Sequence, residues 1–220
     1  MNATPPSKQR LRIRYTRDET LKYIGHLDMA RTWQRIARRA NLPLTYSEGF
    51  NPQPRMSFAA ALPVGCTSDH EELDLVLWPP LAIAEVQERL DRALPAGMRV
   101  TSIAEMLLNA PALQMQLTAA EFEFTVQDES AVELVKERVP QLLAADEVMR
   151  DRRGKVYNLR PLVQALTIEP QSETMVKVRA RLQATPEGTG RPDELAAALG
   201  LDPAVIQIKR TKLIFLDKTD

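Results

Sequence analysis

A single cysteine, Cys66, stands among 220 residues. No intrachain disulfide framework is possible, nor is an iron–sulfur cluster held by several thiolates of this chain. Histidine is nearly as scarce. His26 and His70 are the only two, neither sits in a metal-ligand spacing, and no metal site is expected. No apolar run approaches the roughly 18 residues of a membrane span, and Met1 to Ser7 lack the apolar stretch of a secretory leader. No membrane association is expected, and the cytoplasm is the expected compartment. An excess of either charge is also lacking, since Lys+Arg and Asp+Glu number 29 each. A dedicated nucleic-acid binder carries a basic excess, so any such role here requires a local patch. What the chain does have is 44% hydrophobic residues, enough for a core, and a length suited to one large domain or two small ones.

Periodicity supplies the architecture. Residues 10–16 alternate Arg10, Arg12 and Arg14 against Leu11, Ile13 and Tyr15, a strand with one polar face. Helical character follows from 26 to 40, then a short strand at 57–62 and an alternating strand at 72–77. Ile83, Val86, Leu90 and Leu94 have helical spacing, which predicts a helix over 83–93 ended by Pro95 and Gly97. A strand at 98–103 closes the unit. A second cycle reads as strand 121–126, helix 131–143, strand or hairpin within 155–168, strand 174–182, short helix 193–199 and strand 205–216. Each cycle has the order β-α-β-β-α-β. The predicted fold class is therefore α+β, with two tandem ferredoxin-like domains and antiparallel sheets. The expected boundaries are a disordered tail over 1–8, a first domain over 9–108, a linker over 109–119 and a second domain over 120–218.

The stretch from Pro43 to Phe58 carries more punctuation than a connection needs. Pro52 and Pro54 lock φ and lack an N–H, while Gly49 permits positive φ. Ser47, Glu48, Asn51, Gln53 and Arg55 crowd polar groups between apolar runs. A loop this constrained is expected either to present a working surface or to close the core as a rigid hairpin tip.

Just before it, Arg31, Arg35, Arg38 and Arg39 share one sector of the first helix, opposite Met29, Trp33, Ile36 and Ala37. Only Asp28 is near enough to neutralise them, and the planar guanidinium suits phosphate or carboxylate. A solvated face is the plainer alternative. Arg150, Arg152, Arg153 and Lys155, grouped around Gly154, form a second basic patch, or else a solvated hairpin tip. The basic strand faces have a different explanation. Arg12 and Arg14 are expected beside Glu72 and Asp74, and Glu121 and Glu123 beside Lys177, Arg179 and Arg181, as exposed cross-strand pairs. His26 is expected to pack near the helix start, Asp28 to complement the first-turn N–H groups, and Cys66 to be no nucleophile.

Tyr23-Ile24-Gly25-His26-Leu27-Asp28, Asn41-Leu42-Pro43 and Tyr46-Ser47-Glu48-Gly49-Phe50-Asn51-Pro52 form a series with Pro54, Ser57, Leu62, Pro63, Gly65, Ser68, Glu71 and Asp74. This series resembles the radical SAM-linked domain family designated DUF2344, specifically over residues 10–105 and diffusely beyond. The resemblance implies an association with radical SAM enzymes, as a separate protein or as an extension of one, rather than a mechanism. Two positions depart from the pattern. Gly25 stands where the family often has Ser, which removes a side-chain cap. Gln53 stands where it tends to have His, so this position is expected to bind or pack rather than carry protons.

The leading expectation is a non-catalytic recognition module that holds no cofactor, works with a radical SAM enzyme on a separate chain, and binds RNA or a translation component. Arg31, Arg35 and Arg38 would hold an anion, while Tyr46, Ser47, Phe50, Asn51 and Arg55 would shape the recognition loop. One alternative is an RNA-modifying or RNA-cleaving enzyme using Ser47, Glu48, Asp74 and His26. Another is a protein-docking partner.

Overall fold

The computed structural model describes residues 7–216. The expected tail over 1–8 lies mostly outside this range, as do residues 217–220. In β1 (Gln9–Arg17) the alternation sends Leu11, Ile13 and Tyr15 into a core and leaves the arginines on the opposite face. Helix α1 (His26–Arg39) starts at Gly25, which as expected gives no side-chain cap. It lays Met29, Trp33, Ile36 and Ala37 onto the apolar face, where the Trp33 ring meets Tyr15 edge-on at 4.9 Å. The helix is followed by Asn41 in the left-handed region (φ 49°), a conformation asparagine tolerates after a helix end. Strands β2 (Met56–Phe58) and β3 (Cys66–Leu77), helix α2 (Ile83–Ala93) and strand β4 (Met98–Met106) complete the first half. Val86, Leu90 and Ala93 of α2 join Leu73, Leu75 and Leu77 of β3 in its core. The strand order is β4-β1-β3-β2, all antiparallel.

The second half runs β5 (Leu117–Gln127), α3 (Glu129–Ala144), a separate hairpin of β6 (Met149–Arg152) and β7 (Lys155–Asn158), β8 (Val163–Pro170), β9 (Met175–Thr185), the two-residue β10 (Gly188–Thr189), α4 (Pro192–Ala198) and β11 (Gln207–Phe215). Its order is β11-β5-β9-β8, again antiparallel, with β10 also on β9. Phe122, Phe124 and Val126 of β5, Val132, Val135 and Val139 of α3, and Leu195 and Ala196 of α4 form its core.

The two halves do not form two separate sheets, as the sequence suggested. They share one nine-stranded sheet, because β11 lies parallel to β3 and pairs Ile208, Lys209 and Arg210 with Cys66, Thr67 and Ser68. The fold is thus mixed α+β with a mostly antiparallel sheet and four α-helices among the described residues. The two cores remain distinct, but Ala59, Leu62, Cys66 and Leu113 from the earlier part of the chain are buried in the later one. Residues 109–119, expected as a plain connector, form a 3-10 turn at Leu113–Met115 with Leu113 fully buried.

Candidate functional site

The loop after α1 is built onto the edge of β3. Leu44 bridges Leu77, the Thr45 N–H donates to the Val76 carbonyl at 2.8 Å, and the Val76 N–H donates to the Arg55 carbonyl at 3.1 Å. Farther out, Tyr46 bridges Pro54, the Ser47 N–H donates to the Gln53 carbonyl, and the Gln53 N–H returns a hydrogen bond to Ser47 Oγ at 3.0 Å. Gln53 Nε2 donates to Asn51 Oδ1 at 3.1 Å, so Ser47, Asn51 and Gln53 spend polar groups bracing the loop. The aromatics are not spent. Phe50 is wholly exposed and Tyr46 half exposed, at a tip where Gly49 adopts φ 120°. Arg55 is exposed, and its Nε lies 3.4 Å from the Tyr46 carbonyl.

On α1, Arg31 pairs with Asp28 at 2.9 Å, both exposed. Arg35 and Arg38 are exposed, and neither side chain has a hydrogen bond or ion pair among the described residues. Nor does any such bond join Arg31, Arg35 or Arg38 to residues 46–55. The contact between α1 and the second strand lies at the opposite end of the helix, where the exposed His26 ring packs edge-on against Phe58 at 5.5 Å.

The second basic patch sits on the β6–β7 hairpin. Arg153 (φ 54°) and Gly154 (φ 78°) occupy successive left-handed positions at its tip, the geometry that matches strand twist in a two-residue hairpin. Arg150 and Arg152 turn to Glu194 of α4 at 3.1 and 3.7 Å. Arg153 and Lys155 remain exposed.

The strand arginines are consumed. Arg12 faces Asp74 and Arg14 faces Glu72 across the β1–β3 ladder, at 2.8 and 2.9 Å, as the sequence indicated. The expectation of exposed pairs is corrected, because Arg10, Glu72 and Asp74 are buried. Arg10 binds Asp74 through both Nε and Nη2 and reaches the Ala110 and Pro111 carbonyls, while Arg12 lies 5.6 Å from the Phe215 ring centroid. The segment before β5 and the end of β11 therefore cover this face. Burial by itself would raise the Glu72 carboxyl, but hydrogen bonds from His70 and Arg14 outweigh it and hold it below the ordinary glutamate range.

Two features were missed from sequence. Arg210 of β11 and Glu71 of β3 form a buried ion pair, with Arg210 Nε donating to Glu71 Oε1 at 2.8 Å and its other nitrogens to the Ala60 and Ala61 carbonyls. The available signal was phase: Glu71 occupies the same face of its strand as Leu73, Leu75 and Leu77, where a charge is costly unless paired. Arg210 also lines a cavity of about 410 Å³ between the halves, walled by Ala59, Ala60, Phe122 and Gly190. The second is a cleft of about 340 Å³ between the C-terminal ends of α1 and α2, lined by Arg39, Arg89 and Arg92.

The groups considered for catalysis do not assemble. Asp74 is held by Arg10 and Arg12 and Ser47 Oγ by Gln53, and no hydrogen bond joins any two of Ser47, Glu48, Asp74 and His26 among the described residues. Burial pushes the Cys66 thiol up to about 12, the reverse of an activated nucleophile. Among the described residues no group of three His, Cys, Asp or Glu side chains is arranged to hold a metal ion, and no helix is long and apolar enough to cross a membrane.

With this geometry in place, the family model for an uncharacterized protein conserved in bacteria, DUF2344, matches residues 10–192. The chain belongs to this family. The match runs from the first charged strand to the start of α4, so it includes the loop, α1, α2 and the second basic hairpin. No curated protein matches the chain. Among solved structures, it is similar to a chain in a crystal structure of a Cbf5-Nop10-Gar1 complex, with 11% identity and a TM-score of 0.43 over 92% of this chain. It spans 48%, about half, of that chain. An unknown protein from Galdieria sulphuraria is similar at 13% identity over 94% of this chain and 99% of its own, with a TM-score of 0.29. A putative glycine cleavage system transcriptional repressor is similar at 13% identity over 94% of this chain and 98% of its own, with a TM-score of 0.25. Likenesses at this level carry no argument about function.

Proposed function

We propose that this DUF2344 chain is a non-catalytic recognition module, built of two ferredoxin-like units fused through β3 and β11, that works with a radical SAM enzyme on a separate chain and engages RNA. The observation that carries the reading is a contrast among arginines. The arginines of the sheet face have carboxylates, whereas Arg35 and Arg38 are exposed without one. A free guanidinium fork matches a phosphate in geometry and charge. The exposed rings of Phe50 and Tyr46 add stacking planes, the second element of single-strand recognition. The radical SAM partner rests on the sequence resemblance, and one cysteine cannot ligate such a cluster.

The test is binding of a single-stranded RNA oligonucleotide by the purified chain, measured as a function of salt. Arg35→Ala and Arg38→Ala should each weaken binding and flatten the salt slope by about one unit per lost phosphate contact. Phe50→Ala should weaken binding by about 1–3 kcal/mol with the slope unchanged. Wild-type affinity in all three variants would remove this surface as the site. Salt-insensitive capture of the radical SAM enzyme that depends on Phe50 alone would favour protein docking instead.

A further inference from the structure

The C-terminal ends of α1 and α2 meet, and each helix lends an arginine to the other. Arg39 of α1 donates through Nη1 to the carbonyl of Ala93, the last residue of α2, at 3.3 Å. Arg89 of α2 donates through Nη1 to the carbonyl of Asn41, just past α1, at 2.7 Å. These bonds fix two guanidiniums beside the cleft, where Arg92 joins them. Helix C-termini are ordinarily poor places for an anion, because their free carbonyls carry partial negative charge. Here the Ala93 and Asn41 carbonyls already accept hydrogen bonds from arginines. The cleft wall otherwise consists of Ala40, Asn41 and Ala93, and no carboxylate lines it. Glu85 and Glu88, which pair with Arg89 and Arg92 along α2, lie outside the lining. Arg39 uses only Nη1 among the described residues, so the remaining edge of its fork is available. Arg38 adjoins Arg39 in the last turn of α1, and Arg35 lies one turn earlier.

We propose that this cleft is a phosphate-binding site in which Arg39, Arg89 and Arg92 hold one phosphate group. Resting on the RNA reading above, it receives a backbone phosphate of the strand that Arg35 and Arg38 track. The site places the electrostatic centre of recognition at the far end of α1 from His26, and it adds α2 to the surface. Guanidiniums converging from two helices fix a position for the phosphate, which a one-faced stripe does not do.

The experiment uses the full chain with two probes, inorganic pyrophosphate by titration calorimetry and a single-stranded RNA oligonucleotide by salt-dependent binding. Arg92→Ala is the chosen variant because Arg92 is exposed and its hydrogen bond is to Glu88 on its own helix. Pyrophosphate should bind the parent chain, about tenfold more weakly to Arg92→Ala, and not measurably to the Arg39→Ala/Arg92→Ala double variant with an unchanged circular dichroism spectrum. Arg92→Ala should also flatten the RNA salt slope by about one unit. Absence of pyrophosphate binding to the parent, or equal binding to parent and Arg92→Ala, overturns the site. Arg92-dependent pyrophosphate binding without RNA binding supports the site for a free phosphate compound and overturns its RNA assignment and the RNA reading with it.

Discussion

The two halves of the sheet carry the same kind of charge ladder with the signs exchanged, and they treat it differently. In the first half Arg12 and Arg14 on β1 face Asp74 and Glu72 on β3. In the second, Glu121 and Glu123 on β5 face Arg181 and Arg179 on β9, with Lys177 also reaching Glu123. Side-chain exposure is 13% and 3% for the pair Arg12 and Asp74, but 45% and 32% for Arg181 and Glu121; Arg14, at 45%, is the open end of the first ladder. Residues Ala110 and Pro111 and the Phe215 ring lie over the first ladder, whereas the second borders an open cavity of about 410 Å³ with Thr167 and Thr211. Cross-strand pairing sets which charges meet. Burial sets what each meeting is worth, because water screens the exposed pair and not the covered one.

Substitutions should expose this difference as a graded series. The largest loss is expected for Glu71→Ala, which strands Arg210 between the two halves at 2% side-chain exposure. Removing one member of a buried pair costs about 3–5 kcal/mol, and urea denaturation should show it. The Glu71→Leu/Arg210→Met double variant should recover much of the loss. If it does not, the carbonyl contacts of Arg210 to Ala60 and Ala61 matter more than the pair itself.

Next comes Asp74→Ala, which takes the carboxylate from Arg10 and the nearer of two from Arg12, whose other, Glu72, lies 3.8 Å away. A loss towards the lower end of the same range, about 3 kcal/mol, is expected. A loss below about 1 kcal/mol would mean that the cover over this face opens and lets water reach the arginines.

Acid titration probes the covered ladder at Glu72. The folded Glu72 carboxyl is depressed below its ordinary value of 4.5, so its contribution to stability is present above that value. The contribution is lost as pH falls through the lower folded value, where the folded chain must take up the proton too. Glu72→Gln should therefore lower stability at neutral pH and make the decline below about pH 4.5 shallower. An unchanged acid profile would show that His70 and Arg14 do not hold this carboxyl ionised.

The smallest effect belongs to Glu121→Ala in the open ladder, at about 0–1 kcal/mol and decreasing with added salt. A loss comparable with that of Asp74→Ala would erase the contrast between the halves.

Much of this architecture is written in local pattern. Helix α2 is found at Ile83–Ala93, the bounds its Val86 and Leu90 spacing and the following Pro95 and Gly97 predict. The charge pairs of β1 and β3 follow from alternation plus strand order. Errors cluster where pattern is interrupted. Strand β3 extends back to Cys66, because Asp69, His70 and Glu71 break the alternation that marks its later residues. The residues after Phe58 leave the ladder and Ala59 and Leu62 pack into the later core instead, while the four-residue strands β6 and β7 are too short to show a period. In the candidate site, the constrained loop and the Arg face of α1 were legible from turn chemistry and helical phase. The role of Arg89 and Arg92 was not, since on their own helix they read as ordinary i,i+4 partners of Glu85 and Glu88.

By itself, then, the sequence determined which residues turn inward along its long periodic elements, such as β1 and α2, and the pairing of signs across neighbouring strands. Those are consequences of period and of contacts within a few residues or between adjacent strands. Only the tertiary structure decided that the two sheets become one through Ile208–Arg210 and Cys66–Ser68, that one charge ladder is covered and the other open, and that Arg39 shares a cleft with Arg89 and Arg92. These depend on residues 50 to more than 140 positions apart meeting in space, and no local periodicity encodes such a meeting.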